Sequence, residues 1–249
     1  MQYKERRDLM DRETRDILLV DSSASMLFYM SMMLRRLEYK VATAQSAEDA
    51  LHAMEDALPA IIVSETSLPG MSGIDLLKRI KDSPRLKTIP VMMLTSQNHP
   101  GMRETCERLG CADFLYKPVE PDTLYRRLQA ISESIPRANI RLATSLKVIV
   151  TEGGGVPRNE SATEISEGGL FIRTLDPRPK NVTLRVRIFL PQKEIAAQAV
   201  VLYSAAVTTG SLKEPGMGMK FSEIADDDRE TIKRYIKEKL VSDIAPQGV

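Results

Sequence analysis

The chain has 249 residues, which is long for one compact domain and suits two. Hydrophobic residues make up 43% and charged residues 28%, with a net charge of +1. This balance is typical of a folded globular protein and gives no bulk electrostatic reason to expect nucleic-acid binding. The apolar runs are far shorter than the ~20 residues that cross a bilayer, and the N-terminus has no apolar signal segment. We therefore expect a cytoplasmic protein without membrane insertion.

Short apolar runs alternate with amphipathic stretches through the first half of the chain. The predicted strands are Ile17–Val20, Val41–Ala44, Ile61–Ser64, Val91–Thr95 and Phe114–Tyr116. The predicted helices are Ser25–Leu37, Ala47–Ala57, Ile74–Lys81, Met102–Leu109 and Pro121–Ser134. This alternation is typical of a doubly wound α/β fold, a five-stranded parallel sheet with helices on both faces. Such sheets bind ligands at the carboxyl ends of their strands, so the residues that follow each strand are candidates for function.

The pattern changes near residue 135, where strand-like runs separated by turn residues begin. The predicted strands are Leu146–Val150, Leu170–Thr174, Val182–Leu190, Ile195–Tyr203 and Gly216–Phe221. The acidic start and lysine-rich end of Asp226–Leu240 predict a C-terminal helix. We expect an antiparallel β-barrel against which this helix packs. The predicted organisation is one domain over residues 15–134, a linker over 135–141 and a second domain over 142–243.

Five segments of the first half carry a resemblance to a known family. They are Ile17–Ser23, Val63–Glu65, Leu68–Gly73, Leu94–Ser96 and Tyr116–Pro118. Each segment alone is a weak signal, but their order within five βα units resembles the receiver domain of bacterial two-component response regulators. The resemblance implies a flavodoxin-like receiver fold for this half.

The residues at the implied receiver site depart from the family pattern. In that family two acids after the first strand and an Asp after the third hold Mg²⁺, and this Asp accepts a phosphoryl group. Here Asp21 is followed by Ser22, and Glu65 stands at the acceptor position. A Glu carboxylate lies about 1.5 Å further out, which loses an attack geometry set for Asp. Thr95 and Lys117 still match the family's switch hydroxyl and phosphate-binding lysine. We therefore expect a degenerate pseudo-receiver that holds no metal and is not phosphorylated.

Two interpretations of Glu65 stay open at this point. In the first, Glu65 pairs with Lys117 and permanently imitates the phosphorylated state, because it extends a negative charge towards the phosphoryl position. In the second, the degenerate site survives only as a scaffold.

Three segments of the second half resemble a PilZ domain, the bacterial receptor module for cyclic di-GMP. They are the RxxxR pair in Arg137–Arg141, the turn in Glu164–Ile172 and the strand Gly216–Phe221. The resemblance implies that cyclic di-GMP contacts Arg137, Arg141, Glu164, Ser166, Gly168 and Gly169. Guanidinium groups suit phosphates and guanine faces, and an acceptor before the serine suits the guanine N1–H and N2–H groups. The family has Asp or Asn where this chain has Glu164, so the acceptor is kept while its reach changes.

The two resemblances together predict a non-catalytic signalling adaptor and no enzyme. Cyclic di-GMP would order the hinge Ser134–Arg141 and change the arrangement of the two domains or the binding of a partner. The expected partner is a signalling or motility protein, since cyclic di-GMP commonly governs motility and biofilm behaviour in these families; a homodimer stays open. No helix-turn-helix pattern follows the first domain, so DNA is not expected. The alternatives are a nucleotide-independent interaction scaffold and a phosphorylation-dependent response regulator.

Overall fold

The computed structural model of the protein describes residues 16–132, 139–205 and 215–242. The described residues form two compact units, the first within 16–132 and the second within 139–242. The predicted helix end at Ser134, the residue Arg137 and most of the predicted hinge therefore lie outside the described residues.

The first unit alternates strands with helices along the chain. Its strands are β1 Asp16–Val20, β2 Lys40–Ala44, β3 Ile61–Ser64, β4 Val91–Thr95 and β5 Asp113–Tyr116. Its helices are α1 Ala24–Arg36, α2 Ala47–Asp56, α3 Gly73–Asp82, α4 Met102–Arg108 and α5 Pro121–Ser132. The strands form one parallel sheet in the order β2-β1-β3-β4-β5, which is the flavodoxin-like order of doubly wound folds.

Serine caps define where three of these helices begin. The hydroxyls of Ser23, Ser46 and Ser72 each accept a backbone N–H three residues on, at 3.0–3.2 Å. Such caps satisfy N–H groups that have no partner within the helix. The caps therefore end the loops that follow β1, β2 and β3, and the loops after β1 and β3 carry the candidate receiver site.

The second unit is a closed barrel followed by a helix. Its strands are β6 Leu142–Thr151, β7 Arg158–Ser166, β8 Gly169–Arg173, β9 Thr183–Phe189, β10 Glu194–Ala205 and β11 Gly216–Ile224. They pair antiparallel in the order β10-β11-β8-β7-β6-β9, and β9 closes the barrel against β10. Helix α6 spans Asp226–Val241. The predicted fold classes of both halves are thus confirmed.

Strand β7 is the element that the sequence pattern does not predict. Its sequence Arg158–Ser166 is largely polar, and only Ala162 and Ile165 are buried in it. A register shift between Ala162 and Glu164 breaks the alternation of inward and outward side chains, so the period-two signal is lost. Strand β6 also begins earlier than predicted, at Leu142, because a second irregularity interrupts its alternation after Ala143.

Polar contacts fasten the start of α6 to the barrel. Arg229 donates to the carbonyl of Glu167 at 2.8 Å, and Lys193 pairs with Asp228 at 2.6 Å. Helix α6 therefore supports the turn between β7 and β8. Among the described residues, no helix is long and apolar enough to span a membrane.

The close approach of β8 to β11 leaves no room for a side chain at Gly169. A Cβ there would lie 2.0 Å from the carbonyl oxygen of Met219. We expect Gly169→Ala to lower the free energy of unfolding by roughly 1–3 kcal/mol, because the two strands have to separate. Gly154→Ala is the matched control, since nothing lies within 4 Å of a Cβ at Gly154. Urea denaturation of both variants checks this, and equal stabilities would contradict it.

Candidate functional site

The carboxyl edge of the parallel sheet gathers the predicted receiver residues. Asp21 follows β1, Glu65 follows β3, Thr95 ends β4 and Lys117 follows β5. These four side chains lie together, as expected for strands that run parallel. Ser22 is exposed and adds no carboxylate to the cluster.

The ammonium of Lys117 connects the two acidic residues of the cluster. It donates a hydrogen bond of 2.8 Å to Glu65 Oε2 and a short one to Asp21 Oδ2. The three side chains are each 10% exposed or less. One buried cation therefore neutralises much of the charge of two buried carboxylates.

Backbone N–H groups complete the contacts of the Glu65 carboxylate. Oε1 accepts from the Thr66 N–H at 2.7 Å and from the Thr66 hydroxyl at 3.1 Å. Oε2 accepts from the Ser96 N–H at 3.1 Å in addition to Lys117. Both carboxylate oxygens are thus held by donors from the ends of three different strands.

Burial and hydrogen bonding act in opposite directions on Glu65. Burial raises the pKa of its carboxyl group, since a low-polarity environment disfavours the charged form. The hydrogen bond and charge of Lys117, with hydrogen bonds from Thr95 and the Thr66 N–H, lower the pKa by more. The net result is a pKa below its usual value of 4.5, so Glu65 is ionised at neutral pH.

The switch hydroxyl of Thr95 is engaged by a neighbouring threonine. Thr95 Oγ1 and Thr66 Oγ1 lie 2.7 Å apart, and Thr95 also accepts the Gln97 N–H at 3.0 Å. Sequence reasoning missed Thr66, although its place directly after the acceptor position was a signal. The role of the Ser96 N–H had no sequence signal, because every non-proline residue carries this group.

The residues of this cluster do not fit a bound Mg²⁺ ion. Mg²⁺ needs several hard oxygen ligands in an octahedron. Asp21 and Glu65 share the Lys117 ammonium, whose positive charge lies where both carboxylates converge. Within the described residues, no group of three or more His, Cys, Asp or Glu side chains could hold a metal ion.

The turn between β7 and β8 forms the second candidate site. Ser166 Oγ donates to the Gly169 carbonyl at 3.1 Å, and the Gly168 carbonyl accepts the Phe221 N–H at 2.9 Å. The amide of Asn139 lies over Gly168, where a Cβ would be 2.6 Å from Asn139 Nδ2. The end of the linker thus contacts the turn, a contact that sequence reasoning missed.

One member of the RxxxR pair reaches the acceptor residue of this turn. Arg141 Nη1 lies 3.6 Å from Glu164 Oε2, with side chains 44% and 24% exposed. The structure therefore brings Arg141, Glu164, Ser166, Gly168 and Gly169 to one face of the barrel. Arg137 lies outside the described residues.

Comparison with known families identifies the domain in each half of the chain. The response regulator receiver domain family matches residues 17–129, and the PilZ domain family matches residues 136–238. The chain belongs to these two families. It joins a receiver domain to a PilZ domain, which confirms the resemblances found in the sequence.

Relatives of known identity match the receiver part. The two-component response regulator ORR3 of Oryza sativa subsp. indica is 39% identical over 111 residues, which are 44% of this chain and 85% of that protein. The chemotaxis response regulator CheY4 of Vibrio cholerae is 30% identical over 47% of this chain and 98% of its own, with a TM-score of 0.45.

The lowered pKa of Glu65 predicts how acid affects the receiver domain. A carboxyl group whose pKa is lower in the folded state stabilises the fold above its unfolded pKa, near 4.5, and this contribution is lost as the pH falls through the folded-state pKa. We expect Glu65→Gln to lower the free energy of unfolding by about 2 kcal/mol at neutral pH, because hydrogen bonds to a charged group are lost. The deficit should shrink as the pH falls below 4.5.

Chemical denaturation at a series of pH values measures this difference. Glu55→Gln is the matched control, since Glu55 is a 69% exposed carboxylate of the same domain. If the loss of stability in Glu65→Gln did not change with pH, this would contradict a lowered pKa for Glu65 in the folded protein.

Proposed function

We propose that the protein is a non-catalytic signalling adaptor that binds cyclic di-GMP through its PilZ domain. The observation that carries this proposal is the convergence of Arg141 and Glu164, 3.6 Å apart, beside the Ser166–Gly169 turn. A guanidinium, a carboxylate and a glycine turn that lets a base approach are groups that suit a guanine nucleotide. They lie on one face of a barrel whose rigid strands hold them in place.

Each group has a distinct task in this proposal. Arg141 offers forked donors to a phosphate and a flat face to a base. Glu164 accepts the guanine N1–H and N2–H groups. Gly168 lies under the Asn139 amide, so the linker residue and the turn form one surface. Arg137 would add a second guanidinium from the other end of the RxxxR motif.

The Arg141–Glu164 ion pair has a consequence for affinity. Both groups are needed for the nucleotide, and each is engaged by the other before the ligand arrives. Binding has to rearrange this pair, which is partly exposed and therefore weak. The glutamate at position 164, where the family has Asp or Asn, thus changes the affinity for the nucleotide but keeps a carboxylate that accepts hydrogen bonds.

We further propose that phosphorylation does not switch the receiver domain. An acceptor carboxylate has to attack phosphorus with a free oxygen lone pair in line with the leaving group. Both oxygens of Glu65 are already held by hydrogen bonds, and Lys117 is shared with Asp21. The negative charge beside Lys117 and the Ser96 N–H supports the interpretation of Glu65 as a permanent imitation of a phosphoryl group. The receiver surface would then offer one constant conformation to a signalling or motility protein.

The relay in this proposal runs through the linker. Asn139 and Arg141 contact the turn and the acceptor residue of the PilZ site, and the same chain segment leads back to the receiver domain. A nucleotide that orders this segment would bind one arrangement of the domains more tightly than the other and shift the protein towards it. This shift would change the arrangement of the domains or the binding of a partner.

Isothermal titration of cyclic di-GMP into the full chain tests the ligand. We expect saturable binding by the wild type. Arg141→Ala should raise the Kd about 10- to 100-fold, because charge-assisted hydrogen bonds are lost. The double variant Arg137→Ala, Arg141→Ala should show no measurable binding. Arg187→Ala is the matched control, because Arg187 is also an exposed barrel arginine paired with a glutamate, Glu194 at 3.1 Å. Its affinity should equal that of the wild type.

Absence of binding by the wild type would overturn the proposal and favour a nucleotide-independent interaction scaffold. Equal losses for Arg141→Ala and Arg187→Ala would also count against it, because they would indicate a general effect of positive charge.

Incubation with acetyl phosphate and Mg²⁺, followed by intact-mass measurement, tests the receiver domain. We expect no phosphoryl adduct on the wild type, since Glu65 is the wrong length for the attack and is fully hydrogen-bonded. The double variant Ser22→Asp, Glu65→Asp restores the acids of the family pattern and should gain an adduct. An adduct on Glu65 of the wild type would instead identify a phosphorylation-dependent regulator.

A further inference from the structure

Two aromatic rings lie on the outer face of the barrel beside the PilZ site. They belong to Phe171 on β8 and Tyr203 on β10, and both side chains are partly exposed. Their centroids are 6.3 Å apart with an interplanar angle of 29°, so the two rings lie close together and nearly parallel. We call this pair the aromatic platform.

Glycines of β11 make the platform possible. A Cβ on Gly216 would lie 2.7 Å from Phe171 Cζ, and a Cβ on Gly218 would lie 2.4 Å from the Tyr203 ring. Any side chain at these positions would push the rings away from the sheet. Met217 between them is buried in the barrel interior, with 2% exposure. The Gly-Met-Gly sequence thus fills the core on one face and seats two rings on the other.

An irregularity in β10 aims Tyr203 outward. Val201 is fully buried, so simple alternation would also direct Tyr203 inward. A register shift between Val201 and Tyr203 places Tyr203 opposite Gly218 instead. Bulges commonly re-aim a side chain in this way and are frequent near functional sites.

The platform lies in one cross-strand row with the acceptor carboxylate. Glu164 is opposite Phe171, Phe171 is opposite Gly218, and Gly218 is opposite Tyr203. Side chains directly opposite each other have Cβ atoms about 4.5–5.5 Å apart. The Glu164 carboxylate, with the Arg141 guanidinium 3.6 Å away, therefore borders the Phe171 ring.

We propose that the aromatic platform is a base-stacking subsite that receives a guanine of cyclic di-GMP with its N1–H and N2–H edge towards Glu164. The inference rests on the proposed function of the PilZ domain and adds residues that its RxxxR and turn motifs do not contain. Adenine presents no such pair of donors, so the carboxylate selects guanine. Lys220, opposite Gly169 on the same face and exposed, supplies positive charge for a phosphate.

The height of a stacked base explains the glutamate at position 164. A base stacked on the rings lies about 3.5–4.0 Å above them. A Glu side chain extends one C–C bond, roughly 1.5 Å, further from the sheet than an Asp side chain. The longer side chain reaches the edge of the raised base, so Glu164 and the platform act as one recognition unit.

Removal of one ring tests the affinity. Phe171→Leu keeps an apolar cover over Gly216 but loses the stacking face, and we expect its Kd for cyclic di-GMP to rise at least about tenfold. Tyr203→Leu should weaken binding in the same direction. Phe171→Trp keeps a stacking face and should bind within about threefold of the wild type. Thermal unfolding followed by circular dichroism confirms that each variant is folded.

A spectroscopic signature separates stacking from a structural role. The chain contains no Trp, so Phe171→Trp introduces a single tryptophan, whose fluorescence can be excited selectively over that of the tyrosines. We expect cyclic di-GMP to quench its fluorescence saturably, with the Kd found by titration calorimetry, whereas cyclic di-AMP should not bind at matching concentrations. The control is Phe189→Trp on β9, three strands from β8 in the closed barrel and opposite Glu194, at the end of β10 far from Tyr203. Its fluorescence should not respond.

The outcomes distinguish the inference from the function on which it rests. Binding by the wild type that is lost in Arg141→Ala but unchanged in Phe171→Leu and Tyr203→Leu, without quenching of Phe171→Trp, would overturn the platform alone. Absence of wild-type binding would overturn the platform and the proposed ligand together. Equal binding of cyclic di-AMP would overturn the role of Glu164 in selecting guanine.

Discussion

The receiver site depends on one buried ammonium group. Lys117 is bonded to Asp21 and Glu65, and all three side chains are at most a tenth exposed. A carboxylate buried without a partner is costly, and two neighbouring carboxylates also repel each other. Lys117 offsets both effects and ties together the ends of β1, β3 and β5. This pairing of Lys117 with both carboxylates underlies the proposal that phosphorylation does not switch the receiver domain.

The PilZ domain is organised by close backbone contact between β8 and β11. Gly169 has no room for a Cβ against Met219, and Gly216 and Gly218 lie beneath aromatic rings. The strands that carry the turn and the platform are therefore held at fixed spacing on a closed barrel, which has no free edge through which to deform. Helix α6 adds a contact from Arg229 to the turn itself. The turn and the platform are therefore held in place by the strands themselves, whereas the Arg141–Glu164 pair has to rearrange in the proposed binding.

The two domains retain the positions of their sites while individual residues depart from the family patterns. In the receiver domain, Glu65 carries its carboxylate into contact with Lys117 and the Ser96 N–H. In the PilZ domain, Glu164 extends far enough to pair with Arg141. Each change lengthens an acidic side chain by one bond, with opposite consequences in the two proposals. In the proposal for the receiver domain, Glu65 pairs with Lys117 and so closes the site. In the proposal for the PilZ domain, Glu164 brings its carboxylate closer to a stacked base.

Local sequence patterns determined the strands and helices of the receiver domain, because its central strands β1, β3 and β4 are largely apolar, buried runs and amphipathic helices alternate with the strands. They also placed Asp21, Glu65, Thr95 and Lys117 at one sheet edge, since parallel strands bring their carboxyl ends together. Tertiary structure alone decided the partners of Glu65, because the Thr66 and Ser96 N–H groups have no sequence signature. It also decided strand β7 and the aromatic platform. Bulges in β7 and β10 invert the direction of the side chains that follow, so a period-two pattern cannot show which face Glu164 or Tyr203 occupies until the strands are paired.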